Sequence, residues 1–140
     1  MAKLNAAARR LIESGALAHL VTLNEDGSPQ VAIVWVGLDG DDLVCGHLNP
    51  AQRKLSNMRR DPRVSVSFES DIVTPMGLHE YLVVHGRASI TEGGAPELLQ
   101  RLARTYIAPD VVFPSMPNPP AGFITRIAVS RIGGMGHWSE

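Results

Sequence analysis

A chain of 140 residues, 44% hydrophobic and 19% charged, holds apolar material for the core of one domain spanning 1–140 and leaves little length for a second. Its net charge of −1 gives no general attraction to nucleic acid or anionic lipid, and its one cysteine, Cys45, excludes an internal disulfide and reads as a small buried strand residue. The stretch from Met1 to Ser14 is amphipathic rather than continuously apolar, so neither a signal peptide nor a membrane span is expected, and a cytoplasmic protein follows.

Asn5 to Glu13 carries Leu4, Ala7, Ala8, Leu11 and Ile12 at helical spacing, with Gly15 where a helix would end. Leu17 to Leu23 reads as a strand, Asn24 to Ser28 as a turn, and Gln30 to Val36 as a second strand. Leu38-Asp39-Gly40-Asp41 makes the next hairpin and Leu43 to His47 a third strand, so a three-stranded antiparallel meander is expected. Asn49 and Pro50 suit the cap and first position of a helix whose Leu55 and Met58 face inward, closed by Asp61-Pro62. Val64 to Phe68 alternates as a half-buried strand, and Glu69 to Leu78 reads as a loop. Tyr81 to Ile90 is a long strand in which Gly86 marks a bulge or bend. Pro96 to Ile107 is an amphipathic helix, 108–122 is irregular with five prolines, and Phe123 to Ile132 is the final strand. About six strands and three helices without βαβ alternation argue for a small antiparallel barrel of the α+β type.

The five histidines (His19, His47, His79, His85 and His137) show no metal-ligand spacing, and no Cys-x-x-Cys is present, so no metal site is expected. No serine sits in a Gly-x-Ser-x-Gly elbow, and Gly133-Gly134-Met135-Gly136 has no helix behind it to bind a dinucleotide. The sharpest local feature is Asn49 to Asn57, where a strand feeds a helix N-terminus bearing Arg53 and Lys54. Positive charge at the positive end of a helix dipole makes sense if a phosphate sits there. The other reading is a solvated basic helix continued by Arg59, Arg60 and Arg63. Trp35, an aromatic in a central strand, reads more readily as core than as a cofactor wall.

Four ordered segments carry a resemblance. Ala18 to Leu23 with Asp26 to Val31, Arg53 to Val64, Tyr81 to Ala88, and the tail Arg131 to Trp138 resemble the pyridoxamine 5′-phosphate oxidase-like split barrels. The Gly-x-Gly-x-Trp tail looks like the branch that uses the deazaflavin F420. The resemblance implies a six-stranded split barrel of the FMN-binding type, a homodimer, and two cofactors in grooves at its interface. It further implies that Val31 to Val36, including Ile33 and Trp35, lies along the cofactor ring. His47, Gln52, Arg53 and Lys54 would hold its phosphate, supported by Asn57, with Tyr81 near the cofactor. His137 and Trp138 would close over the ring from the partner subunit. The function implied is hydride transfer from reduced F420 to a small unsaturated or carbonyl acceptor, with His137 or Tyr81 as candidate proton donor. FMN on the same fold, or non-enzymatic binding of a flavin or haem, are the alternatives. The tail has no Arg-x-Arg pattern, which argues against vitamin B6 oxidation. The 108–122 segment reads either as a rim over the substrate pocket or as a rigid connector.

Overall fold

The computed structural model describes residues 3–139, so the first two residues of the amphipathic N-terminal stretch and the last residue of the expected 1–140 domain lie outside it. Helix α1 (Ala6–Ile12) starts where Asn5 accepts a hydrogen bond from the Ala8 amide, and it buries Ala8, Leu11 and Ile12. Strands β1 (Ala18–Leu23) and β2 (Pro29–Val34) form a hairpin, as do β3 (Gly37–Asp39) and β4 (Asp42–His47). Helix α2 (Arg53–Arg60) is followed by β5 (Arg63–Val73), β6 (His79–Glu92), helix α3 (Ala95–Tyr106) and β7 (Phe123–Met135).

The strands form one antiparallel sheet in the order β2-β1-β5-β6-β7-β4-β3. This corrects two expectations. Among the described residues there are seven strands rather than about six, because the backbone leaves the β2 ladder after Val34 and Gly37–Asp39 pairs separately with β4. The three-stranded meander does not form, because the two hairpins lie at opposite edges of the sheet. Laid flat, seven strands would put those edges about 29 Å apart. Yet only Trp35 and Val36 separate β2 from β3, and three peptide steps reach at most about 11 Å. The sheet therefore curls until its edges approach without pairing: a barrel with a seam.

The expected loop at 69–78 is mostly strand. β5 runs on to Val73 through a register shift after Glu69, and the hairpin turn is confined to Thr74–Leu78, where the Gly77 amide donates to the Thr74 carbonyl. The bulge at Gly86 is present, between His85 and Gly86 on the β7 side, and a Cβ there would meet the Ala128 carbonyl. The last strand extends three residues beyond Ile132 because Gly133, Gly134 and Met135 pair with Val83, Leu82 and Tyr81.

Alternation decides the inside. Leu20, Val66, Phe68, Leu82, Val84 and Ile127 fill the barrel, plugged by Ile12 of α1 and by Leu55 and Met58 of α2. Helix α3 buries Leu102 and Ala103 and brings Leu99 against Gly46 of β4. Among the described residues no helix is long and apolar enough to cross a membrane.

Candidate functional site

The chain leaves the barrel at the end of β4, where His47 is 3% exposed and its Nε2 lies 2.8 Å from Thr125 Oγ1 on β7. The next five residues are not yet helix. Asn49 Oδ1 accepts from the Ala51 amide at 2.9 Å, so Asn49 caps a turn, and α2 begins three residues later than expected, at Arg53. Pro50 thus stands in the turn rather than at the first helical position. Gln52 occupies the N-cap position without a side-chain cap bond, and the first turn carries no acidic residue. The positive end of this helix is left uncompensated by its own sequence.

A groove of about 330 Å³ opens at this junction. His47, Asn49, Gln52 and Lys54 form its polar lining, and Ile33, Trp35, Leu99 and Phe113 its apolar lining. Among the described residues, His47 Nδ1 and Gln52 Oε1 are buried there without a hydrogen-bond partner in good geometry. Gln52 sits close enough to oppose the shift in His47, but neither atom has a partner in good hydrogen-bond geometry. Burial first, and the Lys54 charge second, push the imidazole down to about 4, so at neutral pH it is uncharged. Burial also holds Lys54 below the usual lysine range. A partly desolvated ammonium thus stands beside buried polar atoms at an uncompensated helix N-terminus.

Of the residues singled out in the sequence, the groove gathers Ile33, Trp35, His47, Gln52 and Lys54. Others lie elsewhere. Val31 is on the same face of β2 as Ile33, each 60% exposed, but outside the groove lining. Arg53 lines a separate depression with Asp26, Ser28 and Arg60. Asn57 is buried and its amide donates to Thr22 Oγ1, Asn24 Oδ1 and Gln30 Oε1, which corrects its expected part in holding phosphate: its donors are spent inside the fold. Val36 is also corrected, since its side chain is core and its amide donates to the Tyr106 hydroxyl.

Trp138 is the largest correction. Its indole is 5% exposed within the protomer's own core, and Nε1 donates to the carbonyls of Tyr81 and Met135, so it does not project toward a partner. His137 is exposed, with its backbone carbonyl accepting from Asn5 Nδ2. Tyr81, 43% exposed, lines a different depression on the outer sheet face with His19, Glu69 and His79. Sequence reasoning missed Thr125, Leu99 and Phe113. Phe113 sits in a proline-rich run with no periodicity to read, and Thr125 is distant from His47 in the chain.

A family model described as pyridoxamine 5′-phosphate oxidase matches residues 4–136. A solved structure described as an F420 reductase is 25% identical, with a TM-score of 0.71 over 92% of this chain and 98% of that one. A conserved hypothetical protein from Mycobacterium tuberculosis is likewise 25% identical, with a TM-score of 0.72 over 94% of this chain and 83% of that one. An FMN-binding protein from Syntrophomonas wolfei shares the fold at 13% identity, with a TM-score of 0.67 over 93% and 84% of the two chains. No curated protein matches the chain in sequence.

Proposed function

The chain belongs to the pyridoxamine 5′-phosphate oxidase family, with its split-barrel fold, and on that premise we propose that it is an F420-dependent oxidoreductase that reduces a small unsaturated or carbonyl acceptor. The observation that carries this reading is the set of unsatisfied groups at the β4–α2 junction: the half-buried Lys54 ammonium, His47 Nδ1 and Gln52 Oε1. These groups fit a phosphate. Lys54 supplies the charge, the first amides of α2 supply donors, and a half-turn of the Gln52 amide presents its NH2 in place of its oxygen. His47, held by Thr125, donates through Nδ1 when its proton resides there, and it does so without adding charge.

When bound, reduced F420 supplies the hydride, and a proton from solvent or a side chain completes reduction of the acceptor's double bond. The residues of the chain position and shield. Val31 and Ile33 offer an open apolar bed on β2, while Trp35, Leu99 and Phe113 exclude water at its end. A homodimer formed on the outer sheet face would cover Val31, Ile33 and Tyr81, and it would let the exposed Tyr81 or His137 of one protomer approach the groove of the other as proton donor. F420 is favoured over FMN by the 25% identity to the F420 reductase across nearly all of both chains.

Titration of the cofactor-free protein with F420 and with FMN, read by cofactor fluorescence, tests the reading. F420 is expected to bind more tightly, and Lys54→Ala to weaken it by about 10- to 100-fold, the worth of a charge-assisted hydrogen bond. Tighter binding of FMN would reassign the cofactor. Affinity unchanged in Lys54→Ala would remove the phosphate from this junction.

A further inference from the structure

Within 108–122, Phe113 and no other residue lines the Lys54 groove. Its position is set from α3. Gln100 Nε2 donates to the Val111 carbonyl at 2.9 Å, and Gln100 Oε1 accepts from the Phe113 amide at 3.0 Å, so one side chain pins the segment on both sides of residue 112. The Phe113 ring tilts at 57° against Trp35 with centroids 5.1 Å apart. Trp35 in turn stacks on Tyr106 at 5.5 Å and 10°. The Tyr106 hydroxyl accepts from the Val36 amide at 3.0 Å and lies within donating distance of the Ala16 and Val36 carbonyls. The aromatic pair is thus held by Gln100 and Tyr106, neither of which lines the groove.

We propose that Trp35 and Phe113 form a subsite for an uncharged aromatic ring conjugated to the acceptor's unsaturated group, with Phe113 setting specificity and Gln100 serving as its positioning residue. The proposal rests on the oxidoreductase reading above. Its chemistry follows from the lining. Trp35, Phe113, Leu99 and Ile33 present no charge and two aromatic surfaces, suited to offset or edge-to-face contact with a flat ring. The charged and polar groups, Lys54, Gln52 and His47, belong to the anionic ligand. One groove thereby separates its two ligands by polarity.

Calorimetric titration of the cofactor-free protein with benzylideneacetone and with cyclohexenone tests this without turnover. The aryl enone is expected to bind about tenfold more tightly than the enone without an aromatic ring. Phe113→Ala and the better-filling Phe113→Leu should both erase that preference, and Phe113→Trp should keep it. Gln100→Leu, which deletes both anchoring bonds, should reduce it in protein that remains folded at the titration temperature. Lys54→Ala should leave aryl binding within about twofold, and Phe113→Leu should cost F420 less affinity than it costs the aryl enone. A preference that survives both Phe113→Ala and Phe113→Leu overturns the proposal, and so does a loss of F420 affinity in Phe113→Leu equal to the loss for the aryl enone, which would give the wall to the cofactor. Aryl preference that depends on Phe113 in a protein that binds no F420 would support the subsite and sink the cofactor reading alone.

Discussion

His47 Nε2 bonds Thr125 Oγ1 at 2.8 Å across the β4–β7 ladder, and the same ring leaves Nδ1 buried and unpaired. The bond fixes the imidazole in the barrel wall, and His47 lines the Lys54 groove beside Gln52.

Burial of this imidazole makes stability depend on pH. With its value depressed from 6.5 to about 4, the folded protein refuses a proton that the unfolded chain accepts. Above the unfolded value both states are neutral and the full stability is present. As pH falls from 6.5 toward 4, stability should drop by about 3 kcal/mol in total, of which about 2 kcal/mol is lost by pH 5. Urea midpoints at pH 7 and pH 5 check this, with His47→Asn expected to flatten the difference. An equal drop in His47→Asn would assign it to other groups.

Asn57 should behave as a structural residue. Its buried amide serves Thr22, Asn24 and Gln30, so Asn57→Ala strands acceptors inside the fold and should cost about 2–3 kcal/mol in urea unfolding. F420 affinity of the folded fraction should stay within about twofold of wild type, since no bond to the groove is lost. A large affinity loss at undiminished stability would return Asn57 to the binding site.

Cys45 is 1% exposed and burial pushes its thiol up to about 12. Ellman's reagent should find no reactive thiol at pH 8 in the native protein and one per chain in denaturant. Rapid native labelling would mean that β4 opens readily.

Much of the fold was legible from local pattern, and the parts that were not share a cause. The helical spacing of Leu98 to Tyr106 reports burial through nearest neighbours, so α3 stands within one residue of its expected bounds, while the alternation of Val64 to Phe68 marks the start of β5 and not its run on to Val73. Strand order does not report itself this way. Nothing in Trp35-Val36 announces that the two hairpins will part to opposite edges, because that depends on pairing with β5 and β7 far along the chain. The site divides likewise. Lys54, Gln52 and His47 are close in sequence, while Arg53, expected beside them, lines a separate depression and Phe113 joins the groove from far along the chain, held by Gln100. Trp138 was misplaced because a terminal aromatic gives no sign of its burial until the N-terminal segment is seen to pair with it, through Leu4 with Ser139 and the Asn5 amide with the Trp138 carbonyl.

Gly122 stands behind His47 with φ at +64°, and a Cβ there would strike the His47 carbonyl oxygen and come within 2.6 Å of Ala95 Cβ. Gly122→Ala should cost about 2–4 kcal/mol and displace the β4 terminus. Weakened F420 binding by the variant under conditions where it remains folded is the expected companion. Wild-type stability would show that the backbone there relaxes freely.

The seam between β2 and β3 has a mechanical meaning. Both strands border the gap without hydrogen-bonding across it, and the short link between them is latched by one phenolic hydroxyl. Breathing of the barrel should therefore start along this line, where the fewest bonds must break. Trp35 sits in that link and lines the groove, so opening of the seam should change the groove's shape as well.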